Sequence, residues 1–250
     1  MDSAVLIVGH GSPESDSWNA PMEHAATVQA QTGAPVYWAM LYREPTVQKV
    51  LRQMAEDGVT SAKVFPMFFS PGAVACTKVP QALGLPEGQT KGSVETSEGP
   101  VFLEMTETFG DHWKMKSVLR NVLDDAHAKP KETGILAIAH GSKTGKDSAV
   151  AETNAGYMRE RGFDVQVCFN DFEDPDIENG VRELAQRGKK DILAIPLFAS
   201  PSVHTRAEIP TKLEKAEEEF GVTIRQTEEV GMRKDVAYIV IDRCFGSGNF

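Results

Sequence analysis

Three residues in the second half of this 250-residue chain belong to types that bind first-row divalent metals: His140, Asp171 and His204. The two intervals between them are nearly equal. Each is about the length of one strand-plus-helix unit, so successive strands of one sheet would deliver all three to a common edge. Two neutral imidazoles and a carboxylate suit borderline ions such as Fe²⁺, Co²⁺, Ni²⁺ or Zn²⁺. The histidines form no i, i+4 pair, so the zincin type of hydrolase is not indicated. Two alternatives stay open at this level. Asp171 lies in Asn-Asp-Phe-Glu-Asp-Pro, which also suits an Asx turn or a helix cap. Glu208, four positions past His204, either orients that imidazole from behind or caps a helix before Pro210.

The chain contains an internal control for this set. Ala-Val-Leu-Ile-Val-Gly-His10-Gly-Ser12 matches Gly-Ile-Leu-Ala-Ile-Ala-His140-Gly-Ser142 in the register that sets His10 on His140. The same register, without a gap, pairs Pro45 with Pro175, Arg52 with Arg182, Gly58 with Gly188, Pro66 with Pro196, Phe68 with Phe198, Ser70-Pro71 with Ser200-Pro201 and Pro80 with Pro210. Shared Gly and Pro positions mean shared backbone geometry, which identifies a duplication. In that register Asp171 corresponds to Leu41 and His204 to Val74, and only His140 keeps its counterpart, His10. One half therefore carries a metal set, while the other has aliphatic residues in two of the three places. His10 is a candidate ligand contact from the degenerate half.

The elements that must position these residues follow from periodicity. Strands are expected near residues 5–8, 36–41, 64–69 and 101–103, and again near 135–139, 165–169, 192–198 and 222–226. Between them, Val47, Val50, Leu51 and Met54 mark one buried helix face, with that helix opening at Pro45. Ile177, Val181 and Leu184 mark its repeat, with Asp174 as N-cap and Pro175 at the first position. Short apolar strands alternating with helices imply an α/β chain of two similar doubly wound, parallel-sheet lobes with a cleft between them. The repeat places one lobe at residues 1–126 and the other at 134–250, joined by a polar, proline-containing stretch. Ligands of such sheets bind beyond the carboxyl ends of the strands, where all three candidates fall. His24, His112 and His127 are expected at the surface, Cys168 in the core and Cys76 in a packing role.

Bulk properties narrow the function classes. A formal charge of −10 without a basic stripe argues against nucleic-acid partners. The start is acidic and no run reaches the ~18 apolar residues of a membrane span, so a cytoplasmic protein is expected. Three widely spaced cysteines, Cys76, Cys168 and Cys244, suggest reduced thiols rather than a disulfide framework. The segment from His140 to Lys146 exposes backbone N–H groups beside Lys143 and Lys146 and can hold an anion, although it lacks P-loop spacing.

The trio of strand-His-Gly-Ser at residues 135–142, acid-to-Pro at 171–175 and Pro-Leu-Phe-x-x-Pro-x-x-His-x-x-x-Glu-Ile-Pro at 196–210 resembles the class II tetrapyrrole chelatases. The likeness is greatest to the sirohydrochlorin cobaltochelatase/ferrochelatase group and covers nearly the whole chain. The resemblance implies an ATP-independent lyase with no organic cofactor, the divalent metal itself being a substrate and the tetrapyrrole lying between paired lobes. It matches His140 and His204 to the two metal-handling histidines, and Asp171 to a position usually held by Glu. His140 then serves as principal ligand and proton acceptor, His204 as second ligand and Asp171 as charge-balancing ligand, since an imidazole near its pKa can bind an ion or take a proton. Lys143, Lys146 and Arg206, with Ser142 and His10, would receive the carboxylates of the tetrapyrrole. Co²⁺ is expected ahead of Fe²⁺, with Ni²⁺ third, and the chain is expected to act as a monomer or homodimer. A non-catalytic metal or tetrapyrrole carrier would use the same ligands.

Overall fold

The computed structural model describes residues 3–12, 19–143 and 146–246, with backbone alone at 146 and 147. In chain order its strands are β1 (Ser3–Gly9), β2 (Val36–Met40), β3 (Ser61–Pro66), β4 (Lys91–Thr96), β5 (Gly99–Met105), β6 (Thr133–Ala139), β7 (Asp164–Phe169), β8 (Asp191–Pro196) and β9 (Thr223–Gln226). Its α-helices are α1 (Asn19–Thr32), α2 (Val47–Glu56), α3 (Val79–Leu83), α4 (Met115–Asp125), α5 (Lys146–Glu160), α6 (Ile177–Gln186), α7 (Ile209–Phe220) and α8 (Ala237–Phe245). No helix among the described residues is long and apolar enough to cross a membrane.

Packing divides the chain into two units, Met1–Phe109 with Lys234–Phe250, and Gly110–Arg233. In the first, the strand order is β2-β1-β3-β5-β4, parallel except for β4, which runs antiparallel to β5. Alternate residues of β1 face opposite ways: Ala4, Leu6 and Val8 join Val47, Val50, Leu51 and Met54 of α2 and Val79 and Leu83 of α3 in one core. Helix α1 packs against β1, β2 and α8. In the second unit the order is β7-β6-β8-β9, all parallel, and Leu136 and Ile138 of β6 pack with Ile177, Val181 and Leu184 of α6 and Ile209 and Leu213 of α7. In both sheets the first strand of the repeat is central and its successors lie on either side. The residues after β1 and β6 therefore sit where the strand order reverses, the position at which open α/β sheets bind ligands.

The duplication places repeats at 1–126 and 134–250, and the packed units group two of the helices differently. Helix α8, with Ala237, Ile239, Val240 and Ile241 buried, groups with the first unit, and α4 with the second. The second helix of each repeat opens at Val47 and Ile177, later than expected, because each proline belongs to a turn. Both X-Pro bonds are cis, at Glu44-Pro45 and Asp174-Pro175, and the proline carbonyls accept from the N–H groups of Met40 and Phe169. The N-cap is accordingly Asp176, which accepts from the N–H of Asn179 at 2.8 Å, and not Asp174. His24 and His112 are buried, at 3% and 6% exposure, in place of the expected surface positions. His24 shares the inner stripe of α1 with Ala20, Ala25 and Val28, and the His112 Nδ1 accepts from the N–H of Lys114. All three cysteines are free; Cys168 is in the core as expected, but Cys76 is exposed, its thiol donating to the carbonyl of Pro71.

Candidate metal centre

The centre is built at the carboxyl ends of β6, β7 and β8. Past the last residues of β6 and β7 the backbone ladder continues for one more step, the N–H of Asn170 donating to Ala139 O and that of Asp171 to His140 O, each at 2.9 Å. This fixes His140 beside Asp171. Gly141 makes the close approach possible: its φ is +89°, and a Cβ there would lie 1.9 Å from the carbonyl oxygen of Asp171. After β8 the chain runs through Ser200-Pro201 into a π-helical turn, His204–Glu208, continuous with α7. Ser202 and Thr205 start that turn reciprocally, each side-chain oxygen accepting from the other's N–H. The loop position expected for His204 is thus a helical one, which sets Glu208 directly beneath it.

One donor atom from each of His140, Asp171 and His204 falls within a set whose members all lie within 4.8 Å of one another, all three residues being half-buried. Among the described residues this is the one group of three such side chains close enough to hold an ion. The two imidazoles meet edge to face, with centroids 4.9 Å apart and planes at 88°. The His204 Nδ1 is 2.7 Å from Glu208 Oε2 and 3.9 Å from Asp171 Oδ2, and the His140 Nδ1 is 3.0 Å from Gly141 O. A carbonyl and a carboxylate can only accept, which assigns a proton to each Nδ1; in the neutral ring the Nε2 then keeps its lone pair. Glu208 thus makes the contact with His204 that the first of the two readings open for it requires. The hydrogen bond from His204, and then that from Asn170, hold the Glu208 carboxyl below its usual range.

The sequence reading missed four residues that shape this centre. Asn170, 5% exposed, donates through Nδ2 to Asp171 Oδ2 at 2.9 Å and to Glu208 Oε2 at 3.0 Å. Lys212 Nζ donates to Asn170 Oδ1 at 3.0 Å and to its carbonyl at 2.8 Å. Glu173 accepts from the N–H of Ser142 and from the hydroxyl of Ser148, tying down the segment after His140. Phe172 is 63% exposed with φ +62°, and its ring lies 6.0 Å from that of His140 at 29°. The register between the repeats held the signal for three of the four: Asn170, Lys212 and Glu173 stand against Met40, Ala82 and Arg43, whereas Phe172 stands against the aromatic Tyr42.

The remaining candidates divide. Lys143 Nζ stands 5.5 Å from the centre of the Phe172 ring, at the edge of the centre. Ser142 contributes its N–H to Glu173, and Arg206, on the same turn as His204, pairs at 3.5 Å with the buried Glu229. The Lys146 side chain lies outside the described residues. His10 belongs to the other packed unit, exposed and edge-on to Tyr42 with centroids 4.9 Å apart. In its repeat Leu41 and Val74 replace the carboxylate and the second imidazole, and Lys78 stands in the place of Glu208.

Comparison with known proteins follows the same division into repeats. The CbiX family model matches residues 4–126 and again 134–246. A Halobacterium salinarum protein named probable sirohydrochlorin cobaltochelatase is 30% identical over 227 residues, spanning 83% of this chain and 75% of its own length. In structure the chain resembles SirB from Bacillus subtilis, determined with Fe³⁺, at TM-score 0.75 and 19% identity, over 97% of this chain and 94% of SirB. It also matches a multi-domain Deinococcus radiodurans protein described as structurally similar to chelatases, at TM-score 0.80 and 22% identity, over 99% of this chain and 56% of that one. These two likenesses establish the fold.

Proposed function

The chain belongs to the CbiX family, and on that premise we propose that it inserts a divalent metal into sirohydrochlorin without ATP, in tetrapyrrole biosynthesis of the cobalamin or siroheme type. The observation that carries the reading is the convergence of His140, Asp171 and His204 in one repeat, against His10, Leu41 and Val74 in the other. The repeat at 134–250 is the active one, and the repeat at 1–126 is degenerate for metal.

Insertion exchanges one M²⁺ for two pyrrole N–H protons, so the macrocycle keeps its charge and the protein must take up or pass on two protons. The Nε2 lone pairs of His140 and His204 and the Asp171 carboxylate receive the ion. As the ion leaves for the ring, the His140 Nε2 is freed to accept one of the two protons, its Nδ1–H remaining on Gly141 O, and the other passes to the His204 Nε2 that the ion has also vacated. Asp171 and Glu208 offset the positive charge of the loaded site. The exposed ring of Phe172 offers an apolar face beside His140 for the macrocycle, and Lys143, Lys146, Arg206, Ser142 and His10 receive its carboxylates.

The reaction belongs to the cytoplasm, where free thiols such as those of this chain persist. Co²⁺ is the favoured ion, followed by Fe²⁺ and Ni²⁺. Ligand affinity alone would put Ni²⁺ ahead of Co²⁺; the first place of Co²⁺ is supported by the metal named for the Halobacterium relative. The test is to incubate purified protein anaerobically with sirohydrochlorin and each ion, following the absorbance spectrum. Multiple turnovers above the uncatalysed rate support the proposal. Stoichiometric binding without turnover would replace it with a carrier role.

A further inference from the structure

We propose that Asn170 and Lys212 form a positioning pair that sets the metal centre, Lys212 fixing the Asn170 amide so that its NH₂ aligns Asp171 and Glu208 together. The inference rests on the reading of His140, Asp171 and His204 as the metal set. Asn170 is held at every polar atom. Its N–H is on Ala139 O, its carbonyl and Oδ1 both accept from Lys212 Nζ, and its Nδ2 reaches Asp171 Oδ2 and Glu208 Oε2.

The ammonium group can only donate, so it fixes which end of the amide is oxygen. The NH₂ must then face the carboxylates and, having two good oxygen acceptors, merely touches the His204 Nδ1 at 3.3 Å. One buried amide thus links a ligand, Asp171, to Glu208, the residue that sets the tautomer of the other ligand, His204. Without the amide, Asp171 Oδ2 would keep, among the described residues, only the His204 Nδ1 at 3.9 Å, and Asp171 would be free to swing from the ion. The degenerate repeat has lost the whole device, with Met40 and Ala82 in the two positions. Each replacement is the residue that the first repeat carries at the matching place.

The test therefore installs the chain's own alternatives, Asn170→Met and Lys212→Ala, with Lys212→Arg as the conservative variant. Each protein, checked by thermal unfolding, is titrated with Co²⁺ alone, and the visible ligand-field bands report affinity and coordination geometry without turnover. The pair predicts a roughly 10–100-fold weaker Co²⁺ affinity with altered bands in Asn170→Met and Lys212→Ala, and recovery of most of that loss in Lys212→Arg. Lys212 is only partly buried on α7, and the thermal unfolding check establishes that each truncated protein is folded before its titration is compared. Wild-type bands and affinity in both truncations would overturn the pairing while leaving the metal set in place. Absence of bands in the wild type, unchanged by His140→Ala, would overturn the metal set and the pairing together.

Discussion

The carbonyl oxygen of Asp171 occupies the space where a side chain on Gly141 would begin, 1.9 Å from an ideal Cβ. The strand ends that carry His140 and Asp171 can close on each other only because residue 141 has no side chain. Gly141→Ala must push the two loops apart, and it also adopts φ +89°. Overpacking costs about 1–3 kcal/mol and the left-handed conformation about 1–2 kcal/mol. Denaturant unfolding should show a loss of roughly 2–5 kcal/mol together with weaker Co²⁺ binding. Gly188→Ala is the control, since its φ is +83° with nothing within 4 Å, and it should lose only the conformational part. Equal losses in the two variants would mean that the loops yield freely.

Much of this arrangement was legible beforehand, because Gly and Pro report backbone geometry directly and a single ungapped register aligned them in both repeats. His140, Asp171 and His204 could be named from type and spacing alone. What was hidden depends on partners distant in sequence. Asn170 and Lys212 are ordinary surface residue types whose role appears only when the chain between them folds back and brings the ammonium to the amide. Strand β4 was missed because its residues, Lys-Gly-Ser-Val-Glu-Thr, bury only Val94, as an antiparallel edge strand can. Proline at a helix start normally marks the first turn, and here it was captured by the preceding strand instead. The exchange of α4 and α8 between packed units has no local signal, because an amphipathic stripe states that a face is buried but not against what.

Glu208 works through the proton on the His204 Nδ1. Glu208→Gln can present an NH₂ to that nitrogen and so admit the opposite tautomer, which removes the Nε2 lone pair. Titration with Co²⁺ should give an affinity lower by about 10–100-fold, with thermal stability nearly unchanged because the carboxylate is 41% exposed. Unaltered affinity would show that His204 binds the ion through neither tautomer.

Phe172 holds a left-handed φ of +62° while exposing its ring, a combination that folding alone does not favour. Asn tolerates this conformation far better. Phe172→Asn should therefore raise stability by about 1 kcal/mol, and, with the apolar face beside His140 gone, raise the KM for the macrocycle. A fall in melting temperature would show that the ring is a packing element.

Asp191 bridges the Arg225 guanidinium and the Thr133 hydroxyl. Burial raises its pKa, but the hydrogen bonds from Arg225 and Thr133 outweigh it and the net shift is downward. A carboxylate depressed in the folded state contributes stability above its unfolded pKa, and that contribution is lost as pH falls through the folded value. The stability difference between wild type and Asp191→Asn should thus be constant near neutrality and vanish below the ordinary carboxylate range. A difference that persists in acid would place the effect in packing.

The division of labour between the repeats is tested most directly by initial chelation rates of His140→Ala and His10→Ala, measured side by side with sirohydrochlorin and Co²⁺. His140→Ala should lose at least about 100-fold and approach the uncatalysed rate. His10→Ala should continue to turn over, with its change confined to the KM for the macrocycle. Loss of turnover in His10→Ala with retention in His140→Ala would place the metal in the first repeat and contradict the account.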